Sequence, residues 1–233
     1  MIGVKAFPPR PFSNPPFFRE LSPHTMLLVV GLGNPDRQYA DNRHNVGFMV
    51  LDELAFQCRA EPFKRKFNGD IGRANIGPSE ALLLKPMTYM NASGDSVQPC
   101  AAFFKVAPAD ILVVHDELDL EFGDLRLKFG GGHAGHNGVR SLIARLGTPD
   151  FQRVRVGVGR PTASFKGDVA DWVLQDFAST ERAELPNYLK NAAQTVLDIA
   201  TRGFQTAMNA RNTRLKNKQS EATPDPPKPA KNS

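Results

Sequence analysis

Apolar positions in this chain follow two periodicities that alternate along its length. Residues 26–31 (MLLVVG) and 110–115 (DILVVH) are short, nearly unbroken apolar runs, and 81–85 (ALLLK) is a third. Such runs predict strands buried on both faces. Residues 153–159 (RVRVGVG) alternate instead, with Val154, Val156 and Val158 on one side and Arg153 and Arg155 on the other, as a strand with one apolar face requires. Residues 122–129 predict a further, more amphipathic strand. Helical spacing is found over 45–58, 93–105, 138–146 and 180–201. In the third of these Val139, Leu142, Ile143 and Leu146 share a face, and Asn137 is placed to cap its start. Ser93 and Thr180 are candidate caps for the second and fourth, and Pro99 should kink or shorten the second. The alternation predicts an α/β class: a single domain with a mixed, mainly parallel central sheet surrounded by helices. No internal repeat is evident.

Composition limits the function classes. The 233 residues are 41% hydrophobic and 23% charged, which fits one globular core rather than a disordered or fibrous chain. The longest apolar run, Met26 to Val30, is far short of the ~18 residues of a membrane span, and no secretory-type apolar stretch opens the chain. Cys58 and Cys100 are too few for a disulfide framework or a cysteine metal site. A cytoplasmic protein is expected.

The ends differ from the middle. Of 19 prolines, 10 lie in residues 1–25 and 212–233, a density suited to solvated, extended chain. The expected division is therefore a flexible extension over 1–25, an α/β domain over 26–211 and a disordered basic tail over 212–233. Met26 opens the first strand and is a candidate functional start, which mass spectrometry of the native N-terminus would test. The net charge of +5 sits in these ends, because residues 26–211 carry 21 basic and 21 acidic side chains. An RNA-binding surface must then come from a local cluster of cations.

Four polar clusters stand at strand ends or helix starts, where ligand sites form in α/β sheets. The first is GLGNPDRQYADNRHNVGF, residues 31–48. Gly31 and Gly33 permit a tight turn, but a dinucleotide fingerprint fails, because its sixth position is Asp36, a carboxylate where a pyrophosphate would sit. His44 lies near the start of the next helix, and a lone histidine in such a place is more often structural than functional. The second cluster is KPMTYMNASG, residues 85–94, where Tyr89, Met90 and Asn91 offer an apolar wall and an amide, or simply a supported turn. The third is HDELDL, residues 115–120. Three acids and a histidine at the end of an apolar strand are costly unless used, but strand alternation turns Asp116 away from its neighbours, which argues against a shared metal site. The fourth is FGGGHAGHNGVRSL, residues 129–142, a glycine-rich loop running into a helix start. It suits anion binding by backbone N–H groups, yet lacks the lysine and Ser/Thr of a phosphate loop. His133 and His136 have a ligand-like spacing without a cysteine to complete a metal site.

Covalent catalysis finds little support, since no G-x-S-x-G elbow is present and neither cysteine has a polar, glycine-rich setting. What remains is a carboxylate, one or two histidines and several asparagines. That set suits a general base activating water, with a carboxylate holding the imidazole and amides binding a polarised carbonyl.

Taken together and in this order, the four segments closely resemble bacterial peptidyl-tRNA hydrolase, from about Met26 to about Arg214. The resemblance implies a monomer without metal or cofactor that cleaves the ester between a peptide and its tRNA, meeting the acceptor stem and 3′ end. By position, His44 is implied as the general base, Asp116 as the carboxylate that orients it, and Asn34 as the reader of the acylated amino end. Asn91 and Asn137 would position substrate and water, Tyr39 and Tyr89 would contact tRNA or peptide, His136 would bind substrate or tRNA, and Met90 would line the cleft. Tyr89 stands where relatives often have phenylalanine. Arg126, Lys128 and Arg155 fall at phosphate-binding positions and Arg140 extends them, whereas Arg153 reads as a solvated surface charge. The rival reading, a non-catalytic RNA-binding relative, would not need His44, Asp116, Asn34, Asn91 and Asn137 all intact.

Overall fold

A computed structural model of the chain describes residues 26–77 and 79–222, with side chains described as far as Thr213. Seven strands form one mixed sheet in the order β2-β3-β4-β1-β5-β7-β6. They are β1 (Leu27–Gly31), β2 (Lys64–Lys66), β3 (Gly69–Ile76), β4 (Ser79–Pro86), β5 (Ile111–Glu117), β6 (Leu125–Phe129) and β7 (Gln152–Gly157). The central four, β4-β1-β5-β7, run parallel, while β2, β3 and β6 join through antiparallel pairings. Around them lie α1 (Val46–Gln57), α2 (Gly94–Phe104), α3 (Asn137–Leu146), α4 (Val169–Val173), α5 (Ser179–Arg202) and α6 (Phe204–Ala222).

The unbroken apolar runs are divided by strand parity between two cores. Leu27, Val29, Leu83, Leu112 and Val114 pack with α1 and α5, whereas Leu28, Val30, Leu82, Leu84, Ile111 and Val113 pack with α2 and α3. Each fully buried Leu or Val contributes roughly 1.5–3 kcal/mol, and a strand so filled on both faces has one stable place, the middle of the sheet. The partly apolar β7 adds Val154 and Val156 to the first core only.

Two glycines set the approach of α1 to the sheet. A Cβ on Gly31 would lie 2.3 Å from the Gly47 carbonyl oxygen, and one on Gly47 would lie 2.5 Å from both Leu32 N and Val114 O. Close approach of two backbones, rather than a tight turn, is what Gly31 provides.

Several local expectations are corrected. The cap of α3 is His136, whose Nδ1 accepts from Gly138 N and Val139 N, and Asn137 is the first helical residue. Ser93 does not cap α2, because its hydroxyl donates to the Met90 carbonyl, and α2 runs through Pro99 for 11 residues. At α5 the capping contact is Glu181 Oε2 accepting from Ala178 N at 2.6 Å, so Thr180 plays no such part. Strands β2 and β3 carry charges and glycines with no readable period; β3 is a strand because all eight residues pair with β4. Helix α6 continues to Ala222, past the expected boundary at residue 212. Asn212 accordingly accepts from Leu127 N at 3.0 Å and donates to Leu127 O at 2.9 Å, covering part of the β6 edge. The expected flexible extension over 1–25 and the last residues of the expected tail, 223–233, lie outside the described residues. Among the described residues no helix is long and apolar enough to cross a membrane.

Candidate active site

A cleft of about 610 Å³ opens over the carboxyl ends of β1, β4 and β5. At its floor one carboxylate oxygen gathers two imidazoles. Asp116, at the penultimate position of β5, points toward the α1 side, and His44 meets it from the turn that leads into α1. His44 Nδ1 lies 2.9 Å from Asp116 Oδ1, and His136 Nε2 lies 2.9 Å from the same atom. An ionised carboxylate only accepts, so both nitrogens donate. His136 Nδ1 is already an acceptor for the α3 cap, which fixes that ring's tautomer. His44 is left with Nε2 as its second nitrogen, and the ring lines the cleft.

The electrostatics follow from this geometry. Burial opposes charge on His44, but the Asp116 charge and hydrogen bond outweigh it and raise the histidine above its ordinary value. Burial alone would raise Asp116; His44 and His136 instead hold it well below the carboxylate range. His115, one residue earlier, is pushed far down, chiefly by burial, with the nearby Arg153 charge adding to it. It donates from Nδ1 to the Asp116 carbonyl at 2.7 Å and stands edge-on to the His136 ring. His44, Asp116 and His136 also bring ligand-type atoms within 4.8 Å of one another, a closeness their hydrogen bonds account for.

Asn34 is held at the end of β1 by a reciprocal amide pair. Asn45 Oδ1 accepts from Asn34 N at 2.8 Å, and Asn45 Nδ2 donates to Asn34 O at 3.0 Å. Asn34 Oδ1 accepts from Met90 N at 2.8 Å. The side-chain oxygen is thereby used internally, and the Nδ2 amide remains for the cleft that Asn34 lines. Tyr89, Met90, Asn91 and Asn137 line the cleft as well, and the exposed Tyr89 donates its hydroxyl to Asp36 at 2.7 Å. Half-buried Tyr39 is not part of this lining. His136 lines the cleft with both ring nitrogens already bonded within the protein. His133 turns its Nδ1 to Gly135 N instead of joining His136. Arg140 faces a second hollow of about 350 Å³, which shares Asn91 with the cleft.

The cations divide into three environments. Arg153 is a correction: it is 3% exposed and donates to the carbonyls of Gly131 and Gly132, with its guanidinium over the Phe151 ring. It anchors the glycine-rich loop from beneath, a role no charge count reveals. Arg155 pairs with Glu117 at 2.6 Å. Arg126 stands directly opposite Arg155 across β6 and β7, and its Nε is buried without a partner. Like charges in that position repel, and Glu117 already offsets part of that repulsion through Arg155. Lys128 is exposed on the outer strand.

The apolar wall of the cleft was not anticipated. Val169, Ala170, Val173 and Leu174, from and just after α4, line it together with Met90 and Leu118. The four-residue spacing of Val169 and Val173 was the available signal, hidden because residues 160–168 have no periodicity. Glu117 was read only as one of the costly acids of HDELDL and Asn45 was given no role of its own, since their roles depend on partners distant in sequence.

These features define an α/β enzyme scaffold with its ligand cleft at the strand carboxyl ends. The sequence model of the family described as peptidyl-tRNA hydrolase matches residues 28–221. The curated peptidyl-tRNA hydrolase of Sorangium cellulosum is 64% identical over 191 residues, covering 82% of this chain and 86% of its own. That of Mycobacterium sp. strain KMS is 52% identical over 185 residues, covering 78% and 95%. The crystal structure of peptidyl-tRNA hydrolase from Acinetobacter baumannii superposes with a TM-score of 0.73 at 40% identity, covering 82% of this chain and 95% of that one. The chain belongs to the peptidyl-tRNA hydrolase family, and is a hydrolytic enzyme.

Proposed function

We propose that the chain hydrolyses the ester between a peptide, or an N-blocked aminoacyl group, and the 3′ end of tRNA, with His44 as general base. The observation that carries this reading is the 2.9 Å contact of His44 Nδ1 with Asp116 Oδ1. It leaves Nε2 as the nitrogen that takes a proton from water as the water attacks the ester carbonyl. The proton gained there is stabilised by Asp116, which stays ionised. Asn34 reads the acylated amino end through the amide its hydrogen bonds leave over, and Asn91 and Asn137 position substrate and water. Tyr89 and Met90 flank the acyl group, His136 supports Asp116, and Tyr39 meets the tRNA beyond the cleft.

The acceptor stem lies across the β6–β7 edge, with Lys128 and Arg126 on its phosphates. Arg155 joins them by sharing or leaving Glu117, and Arg140 extends the same surface. Binding of this kind carries no base readout, as an enzyme accepting many tRNAs needs. The protein acts as a cytoplasmic monomer and uses no metal or cofactor.

The test is release of N-acetylated amino acid from acylated tRNA, run beside unblocked aminoacyl-tRNA in excess chelator. Cleavage of the blocked substrate alone is expected. Tight tRNA binding with no cleavage of either substrate would move the chain to the non-catalytic RNA-binding reading.

A further inference from the structure

The residue before His44 has no part in the chemistry above, yet it is among the most heavily bonded side chains in the molecule. Arg43 is 2% exposed. Its backbone N–H donates to Gln175 O at 3.0 Å. Its Nη1 donates to the carbonyls of Gln175 and Asp176, and Nη2 pairs with Glu181 Oε2 at 2.5 Å. The guanidinium lies 4.0 Å from the centroid of the Trp172 ring. Beside it, Asn42 Nδ2 donates to Asp176 Oδ1 at 2.7 Å. Trp172, Gln175 and Asp176 lie within or just after α4 and Glu181 lies in the first turn of α5, so one side chain joins the turn that carries His44 to the wall of the cleft.

That wall has little else to hold it. Between residues 160 and 176 only Val173 is buried, and α4 is five residues long, too short to be stable without tertiary contacts. Besides its own capping box at Asp168, its attachments include Trp172 Nε1 to Gly159 O at 2.9 Å, the edge-on contact of Trp172 with Phe165, and the Arg43 cluster. A planar guanidinium that reaches two carbonyls and a carboxylate while stacking on an indole cannot be replaced by an ammonium.

We propose that Arg43 is a positioning residue that locks the α4 wall to the His44 turn, so that the acyl side chain and the base are placed in one frame. Val169, Ala170, Val173 and Leu174 then discriminate acyl groups by apolar contact, and the discrimination depends on Arg43 although Arg43 touches no substrate. The inference rests on the hydrolase reading, in which the acyl group occupies this cleft.

The experiment compares the wild type with Arg43→Lys, Arg43→Met and Glu181→Gln. One tRNA is charged with N-acetylleucine or with N-acetylglycine, and hydrogen exchange is followed over residues 169–176. In the wild type the leucyl substrate should be favoured by about ten-fold or more in kcat/KM, the scale of a few methylenes in an apolar pocket. In each variant that ratio should shrink toward unity. Amides of 169–176 should exchange at least about ten-fold faster, reflecting a lost charge-assisted clamp. The acid limb of the pH profile should stay in place, because the His44–Asp116 pair is untouched. Glu181→Gln, at the rim of the cluster, keeps the test open if the Arg43 variants do not fold. An active wild type whose leucyl preference and α4 exchange survive in the variants overturns the latch alone. A wild type that cleaves neither substrate overturns the hydrolase reading, and the latch with it.

Discussion

The buried cluster at the end of β5 and the basic edge made by β6 and β7 handle charge in opposite ways. At the cluster the ionisable groups bond to one another: Asp116 takes two imidazole donors on one oxygen, and His136 spends its other nitrogen on the α3 cap. At the edge Lys128 is exposed, and Arg126 faces Arg155 with an unpartnered Nε. Proton transfer demands a fixed orientation, which bonds within the protein supply. Holding a polyanion demands cations within its reach, which internal pairing would cancel. The regions meet at Glu117, next to Asp116 in sequence but on the other face of β5, where it restrains Arg155.

The contrast is broken most severely at the base. His44→Ala should lower kcat by about 10²–10⁴-fold, the usual contribution of a positioned base, with tRNA affinity nearly unchanged in filter binding. Wild-type turnover in that variant would remove His44 from the mechanism. Asp116→Asn should cost nearly as much and also move the pH profile. Unprotonated His44 is the active form, so wild-type kcat/KM falls as pH drops through its raised pKa. Without the Asp116 charge only the burial effect remains, which lowers the histidine, so the acid limb should move to lower pH. A limb that stays put or rises would contradict the assigned pair.

Arg153→Met should act between the two regions. Each hydrogen bond from its guanidinium is worth about 1.5–3 kcal/mol, so the 130–136 loop should open more often. KM should then rise by about ten-fold and exchange of the loop amides should quicken. Unaltered exchange would return Arg153 to a passive role.

The edge itself should show only in binding. Lys128→Ala should raise KM a few-fold at low salt and flatten the dependence of log affinity on log salt by about 0.9, the release of one counterion. Glu117→Gln should have the smallest effect and the opposite sign: freed from its partner, Arg155 adds a phosphate contact and steepens that slope by a similar increment. An unchanged slope in both variants would show that the acceptor stem lies elsewhere.

By itself the sequence determined the sheet's centre and offered candidates for its site. Continuous apolar runs such as MLLVV and ILVV admit only a position buried on both faces, and parity along ILVVHDE separates Asp116 from Glu117 before any coordinates exist. His44 and Asn91 stood out locally only as candidates, and the roles expected of them and of Asn34 came from the resemblance of the four segments taken together. Tertiary structure alone decided what those side chains do to one another. That Asp116 holds two histidines, that Arg153 is buried beneath a loop rather than solvated, and that Arg43 reaches residues 132 to 138 positions away depends on contacts that leave no periodic trace. Strand β3 and helix α4 escaped for the same reason: one exists because β4 offers a full register of backbone partners, the other because a buried arginine and an indole hold it. Local pattern encodes which face of an element is apolar, whereas the partner of a buried polar group is fixed only when distant segments pack.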